Sequence, residues 1–179
     1  DVERSRGLGD VYKRQAMYGL VISDNFLLLY VFWEITSLLS FLLVSYYGER
    51  ASSRRSAQQA LMVTVLGGLA MLVGITLLGR QTGAWSFSDI AATEDLANTP
   101  FLTVAIVLIL CGALSKSAIA PAHFWLPGAM AAPTPVSAYL HSAAMVKAGI
   151  YLVARLAPSV HDIPTCLLYT SDAADEEDS

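Results

Sequence analysis

Charge is scarce in this sequence, and the stretches without it are long. Only 15% of the 179 residues are Asp, Glu, Lys or Arg, against about a quarter in an ordinary soluble domain. From Phe26 to Tyr47 the single charge is Glu34, and from Ala57 to Gly79 there is none. From Phe101 to Leu156 there are only Lys116, Lys147 and Arg155. Cysteine is nearly missing as well: Cys111 stands alone in an apolar stretch, far from Cys166. No disulfide framework or thiolate metal site follows from that pattern, and Cys111 reads as a small buried hydrophobe. There is no Gly-rich phosphate loop, no Cys/His cluster with metal spacing and no Ser–His–Asp pattern. Arg50, Arg54 and Arg55 are too few for a nucleic-acid surface. These absences argue against an enzyme, a cofactor, a metal site and a nucleic-acid partner.

What is present is apolar length. The chain is 55% hydrophobic with a mean hydropathy of +0.52. The runs Phe26–Tyr47 and Ala57–Gly79 are each near the ~20 residues that a helix needs to cross a bilayer. The fold expected is an all-α membrane protein, a piece of a multi-helix transporter bundle with about four complete spans. Spans are expected at residues 26–47, 57–79, 101–130 and 136–156, after the end of an earlier apolar segment at Ala16–Ser23. The third span carries Gly112, Lys116, Pro121, Pro127 and Gly128. Proline removes a backbone donor and breaks a helix, and broken helices at membrane depth line cavities or ion sites. This span is therefore read as discontinuous between Lys116 and Pro121. Ala132–Pro135 is read as a turn, with Thr134 an N-cap before Pro135. Gly48–Ser56 is read as a polar loop of net charge +2 and Arg80–Pro100 as one of −2, which puts the first on the cytoplasmic side of a cell membrane.

The two ends read as foreign. Asp10–Gln15 can be encoded GAT GTG TAT AAG AGA CAG, and the reverse complement of that string encodes Cys166–Ser171 in another frame. The string resembles a transposase adapter used in sequencing libraries. Residues 1–15 and 166–179 are accordingly set apart as adapter-derived, leaving 16–165 as an internal segment of a longer protein. Residues 16–165 hold seven positive and seven negative side chains, so the net charge of −4 comes from the ends.

Five residues are candidates for chemistry. An ion in hydrocarbon is costly and usually persists because it binds or relays ions. Lys116 lies about 22 Å along its span at 1.5 Å per residue, beyond easy snorkelling from an end. Burial disfavours the charged form of a lysine and a carboxylate close by favours it; a lysine with a movable acid is thus a switchable proton site. Glu34 is one such acid, although beside Trp33 it also reads as an interfacial residue of an aromatic belt. His123, between Pro121 and Trp125, either titrates near neutrality or satisfies backbone groups freed by the kink. His141 is a relay residue or a hydrogen-bonded core histidine. Lys147, six positions on, is turned about 240° from His141 around a helix.

Taken together the residues resemble a known family. The signature runs Phe32-Trp33-Glu34 with Ser37, Gly67-Gly68, Leu114–Ser117, His123–Pro127, Ala132–Ser142 and Met145–Leu152. It is similar to the proton-conducting antiporter-like family, which includes the A subunit of Mrp-type Na+/H+ antiporters and the L, M and N subunits of NADH–quinone oxidoreductase. The resemblance covers nearly all of 16–165 and implies the fifth to eighth transmembrane helices. It implies a Glu34–Lys116 ion pair, a relay through His141 and Lys147, and a conducting or gating role for His123. It implies a bacterial inner-membrane location, partner membrane subunits, and protons and Na+ as the ions moved. The wording around His141 and Lys147, with Val65 and Gly68 uncharged, favours the Mrp branch over the respiratory one; a non-conducting scaffold is the third reading.

Overall fold

Six helices carry the described part of the chain. The structure, a computed structural model, describes residues 2–45, 51–93, 101–119, 124, 125, 127 and 146–160. The helices are α1 Val2–Ile22, α2 Phe26–Ser45, α3 Ala51–Thr82, α4 Phe87–Ala91, α5 Leu102–Ser117 and α6 Val146–Val160. No strand occurs among the described residues; one isolated bridge joins Asn25 to Ser86. Residues 2–15 form turns of α1 continuous with Ala16–Ile22, and Lys13 is buried.

α3 is the central strut. It packs on α2 and α5, α1 packs on α2, and α6 packs on α5. Its 32 residues span about 48 Å, more than the ~30 Å of hydrocarbon. Ala57–Thr82 is long and apolar enough to cross a membrane; Phe26–Leu42 and Leu102–Ser117 are shorter apolar helices. The expected loop at 48–56 is cut short, because α3 begins at Ala51 and takes Arg54 and Arg55 into its first turns. Nothing in Ala-Ser-Ser-Arg-Arg opposes a helix, and turns outside the hydrocarbon tolerate charge. Likewise the expected loop after Arg80 contains α4, capped where Ser86 Oγ accepts the Asp89 N–H at 3.1 Å.

Contact between α3 and α5 is close because Gly112 sits on α3: a Cβ there would press on the Met71 side chain and the Gly67 carbonyl. Small residues admit backbones this closely in membranes. Trp33, Met71, Ile75 and Ile109 fill the core between the helices. Leu28, Leu38, Leu42, Met62, Leu66 and Val73 face outward. Cys111 is exposed, against the sequence expectation, since it shares the outer face of α5 with Val104 and Val107.

Candidate functional site

α5 stops where the sequence expects its break. Ala118 has φ 52° and ψ 37°, a left-handed cap, and its N–H donates to Leu114 O. Helix ends leave carbonyls without intrahelical partners. Trp125, itself buried, meets one of these by donating its Nε1–H to Ser115 O at 3.0 Å. Lys116 therefore stands in the last turn of α5, where the helix dipole favours a positive charge.

The ammonium is wholly buried, at 0% exposure. It reaches across to a single turn of α2. Nζ donates to Trp33 O at 2.6 Å, to Thr36 Oγ1 at 2.5 Å and to Ser37 Oγ at 3.1 Å. An ammonium has three protons to donate, and all three find oxygen. Both hydroxyls also lie within hydrogen-bond distance of Trp33 O, at 2.7 and 3.2 Å. The Trp33 ring supports the charge from one side, its centroid 4.4 Å from Nζ. Thr36 is not singled out by the sequence, and the alternative that sets Trp33 in an interfacial belt does not fit, since Trp33 is fully buried. The signal is present: Trp33, Thr36, Ser37 and Ser40 repeat at helical spacing and make one buried face of α2.

Glu34 stands next to this nest but is not part of it. The implied Glu34–Lys116 pair is open: no ion pair joins these two side chains, whereas Arg155 pairs with Asp24. The Glu34 side chain turns to α3, where Oε1 is buried against Gly68 and has no hydrogen-bond partner. The carboxyl is nonetheless close enough to Lys116 for the two to interact electrostatically. Lys147 lies in the first turn of α6 with an exposed side chain. Two residues on, Gly149 abuts Ser117 Oγ and Ala113 O, so α6 starts beside the end of α5. His123 and His141 lie outside the described residues.

A second polar cluster closes the opposite end of α6. Arg155 pairs with Asp24 at 3.0 Å, donates to Ser23 O at 2.6 Å and Tyr151 Oη at 2.9 Å, and stacks 4.4 Å from the Phe87 ring. Ser88 Oγ donates to Asp24 Oδ2 at 2.6 Å. This clasp explains a cation at the end expected to be external: it has its own acid. Among the described residues no group of His, Cys, Asp and Glu is arranged to hold a metal ion.

Comparison with known proteins gives this geometry a context. A family described as "NADH:quinone oxidoreductase/Mrp antiporter, TM" matches residues 23–170. The chain is 57% identical over 144 residues to the A subunit of the Na+/H+ antiporter of Alkalihalophilus pseudofirmus, covering 80% of this chain and 18% of that one. It is 54% identical over the same length to the A1 subunit of the Na+/H+ antiporter of Staphylococcus epidermidis, with the same coverage. Among solved structures, it is similar to the Mrp complex from Dietzia sp. DQ12-45-1b, with a TM-score of 0.81, 42% identity, and coverage of 88% of this chain and 17% of that chain. It is also similar to the membrane-bound sulfane sulfur reductase, an archaeal respiratory membrane complex, with a TM-score of 0.79, 26% identity, and coverage of 87% and 32%. The chain thus spans about a fifth of the curated relatives it matches. A helical membrane bundle with a wholly buried lysine at the end of a helix, and a family match over most of its length, lead to one assignment: this chain belongs to the NADH:quinone oxidoreductase/Mrp antiporter transmembrane family.

Proposed function

We propose that this chain forms part of the proton path of a multisubunit Na+/H+ antiporter in a bacterial inner membrane, working beside other membrane subunits. The carrying observation is Lys116: a fully buried ammonium held by three uncharged oxygen groups of α2, with a carboxylate beside them. Neutral oxygens stabilise the charged lysine without committing it to an acid. The proton on Nζ is then held or released according to where the Glu34 charge stands. When Glu34 turns toward Nζ the proton is held; when it turns away the proton is more easily given up toward a relay through water, His123, His141 and Lys147. The relatives that share more than half of their aligned residues with this chain are antiporter components. That favours antiport over the second reading, the proton-pumping arm of a respiratory complex. The second reading draws on the similarity to the archaeal respiratory complex. Genes encoding small membrane subunits beside this one support the first; quinone and flavin subunits support the second.

The direct test is Lys116→Ala in the intact complex, assayed for proton-driven Na+ exchange in membrane vesicles. The expected result is loss of exchange by about 100-fold or more, as for removal of a central proton-transfer group. Wild-type exchange would refute the proposal and leave a scaffold role.

A further inference from the structure

Glu34 has its carboxyl set against one particular residue of α3. Oε1 faces the Cα of Gly68 so closely that a Cβ there would collide with it and would lie 3.2 Å from Cδ. Real Cβ atoms do not accept such an approach, so this carboxyl position exists only while residue 68 has no side chain. Oε1 is also buried without a hydrogen-bond partner. A buried acceptor without a partner is costly, so Oε1 is seated there by the space that the glycine leaves open and not by a hydrogen bond of its own. The neighbouring glycine serves a different partner: a Cβ on Gly67 would strike Ser115 Oγ of α5. Two consecutive residues of α3 thus receive the acid's helix on one side and the lysine's helix on the other.

We propose that Gly68 is a positioning residue for Glu34: its bare α-carbon gives the carboxyl a place against α3, out of ion-pair contact with Lys116. This rests on the reading of Lys116 and Glu34 as the proton switch. The acid then has two places, one on α3 and one toward the ammonium, and Gly68 makes the first available. A side chain at residue 68 leaves only the second, in which the lysine keeps its proton and transfer stalls.

The test is Gly68→Ala in the intact complex, assayed for proton-driven Na+ exchange with and without Glu34→Asp. Alanine favours a helix more than glycine does, so a loss is not one of helix propensity. Exchange is expected to fall about 10- to 100-fold with Glu34 present, the scale of a misplaced reacting group. The shorter Glu34→Asp side chain clears the new methyl, so in that background Gly68→Ala is expected to cost no more than about threefold, a coupling between the two positions. Equal losses in both backgrounds would assign Gly68 to helix packing alone and overturn the inference. Exchange by Gly68→Ala within about twofold of the parent would overturn it too, while an inactive Lys116→Ala would leave the function standing. If Glu34→Asp alone is inactive, electron cryo-microscopy of the Gly68→Ala complex decides: a carboxyl displaced from α3 upholds the inference, and an unmoved one overturns it. If Gly68→Ala fails to assemble, assembly of the double variant upholds it and failure of both overturns it.

Discussion

Two cations of this bundle, Arg155 and Lys116, are held in opposite ways. Arg155, at the rim, is partly exposed and takes an acid, Asp24, at 3.0 Å, with Ser23 O, Tyr151 and Phe87 around it. Lys116, in the interior, is fully buried and takes only a carbonyl, two hydroxyls and an aromatic face, while the acid beside it stands apart. By charge pairing alone the reverse would be expected, since a buried ion has the greater need of a counter-charge. The difference separates a fastener from a switch. A guanidinium is permanently charged and binds in a fixed fork, which suits the joint between α6, α4 and the α1–α2 turn. An ammonium can lose its proton when buried, and a closed ion pair would hold that proton in place.

The comparison breaks first at Lys116. Lys116→Arg keeps the positive charge but cannot deprotonate; proton-driven exchange in vesicles is expected to be as fully lost as in Lys116→Ala, whereas a site that needs only a cation would retain it. Next comes the oxygen nest. Thr36→Val removes the acceptor of a charged donor, and a stability loss of about 1.5–3 kcal/mol is expected, read as lower thermal stability of the purified complex together with reduced exchange. Unchanged stability would mean that the nest does not hold the ammonium. At the rim, Arg155→Ala is expected to cost about 1–2 kcal/mol, from one charge-assisted bond to Ser23 O and lost packing on Phe87, with exchange retained. A loss of exchange equal to that of Lys116→Ala would abolish the distinction between the two sites. Smallest is Asp24→Asn, about 0–1 kcal/mol for a part-exposed pair, read in the same thermal assay at two salt concentrations.

Much of this is legible residue by residue. The scarcity of charge locates the apolar helices, and the cluster of prolines and glycines places the helix interruption after Lys116; α5 does end at Ser117. Glu34 and Lys116 stand out because ions are rare in such runs. Other features mislead for physical reasons. Trp33, beside a charge, allows an interfacial reading as one alternative, yet it lies beneath the Lys116 Nζ. Cys111 looks buried because it is apolar, but in a membrane bundle the outside is apolar too. Gly48–Ser56 looks like a loop because it is polar, and α3 runs into it because polar turns at a membrane surface need not unwind.

The chain alone determined where the apolar helices run and that Lys116 is a buried ion, because helix propensity and the cost of burying an ion act on each segment locally. It could not determine which atoms answer those charges. Trp33 O is 83 positions from Lys116, and Asp24 is 131 from Arg155. Whether Glu34 meets the ammonium or lies on α3 depends on side-chain rotation within a space set by Gly68. Those pairings follow from how α2, α3, α5 and α6 pack, and a few ångströms of packing decide whether an acid and a base are joined or kept apart.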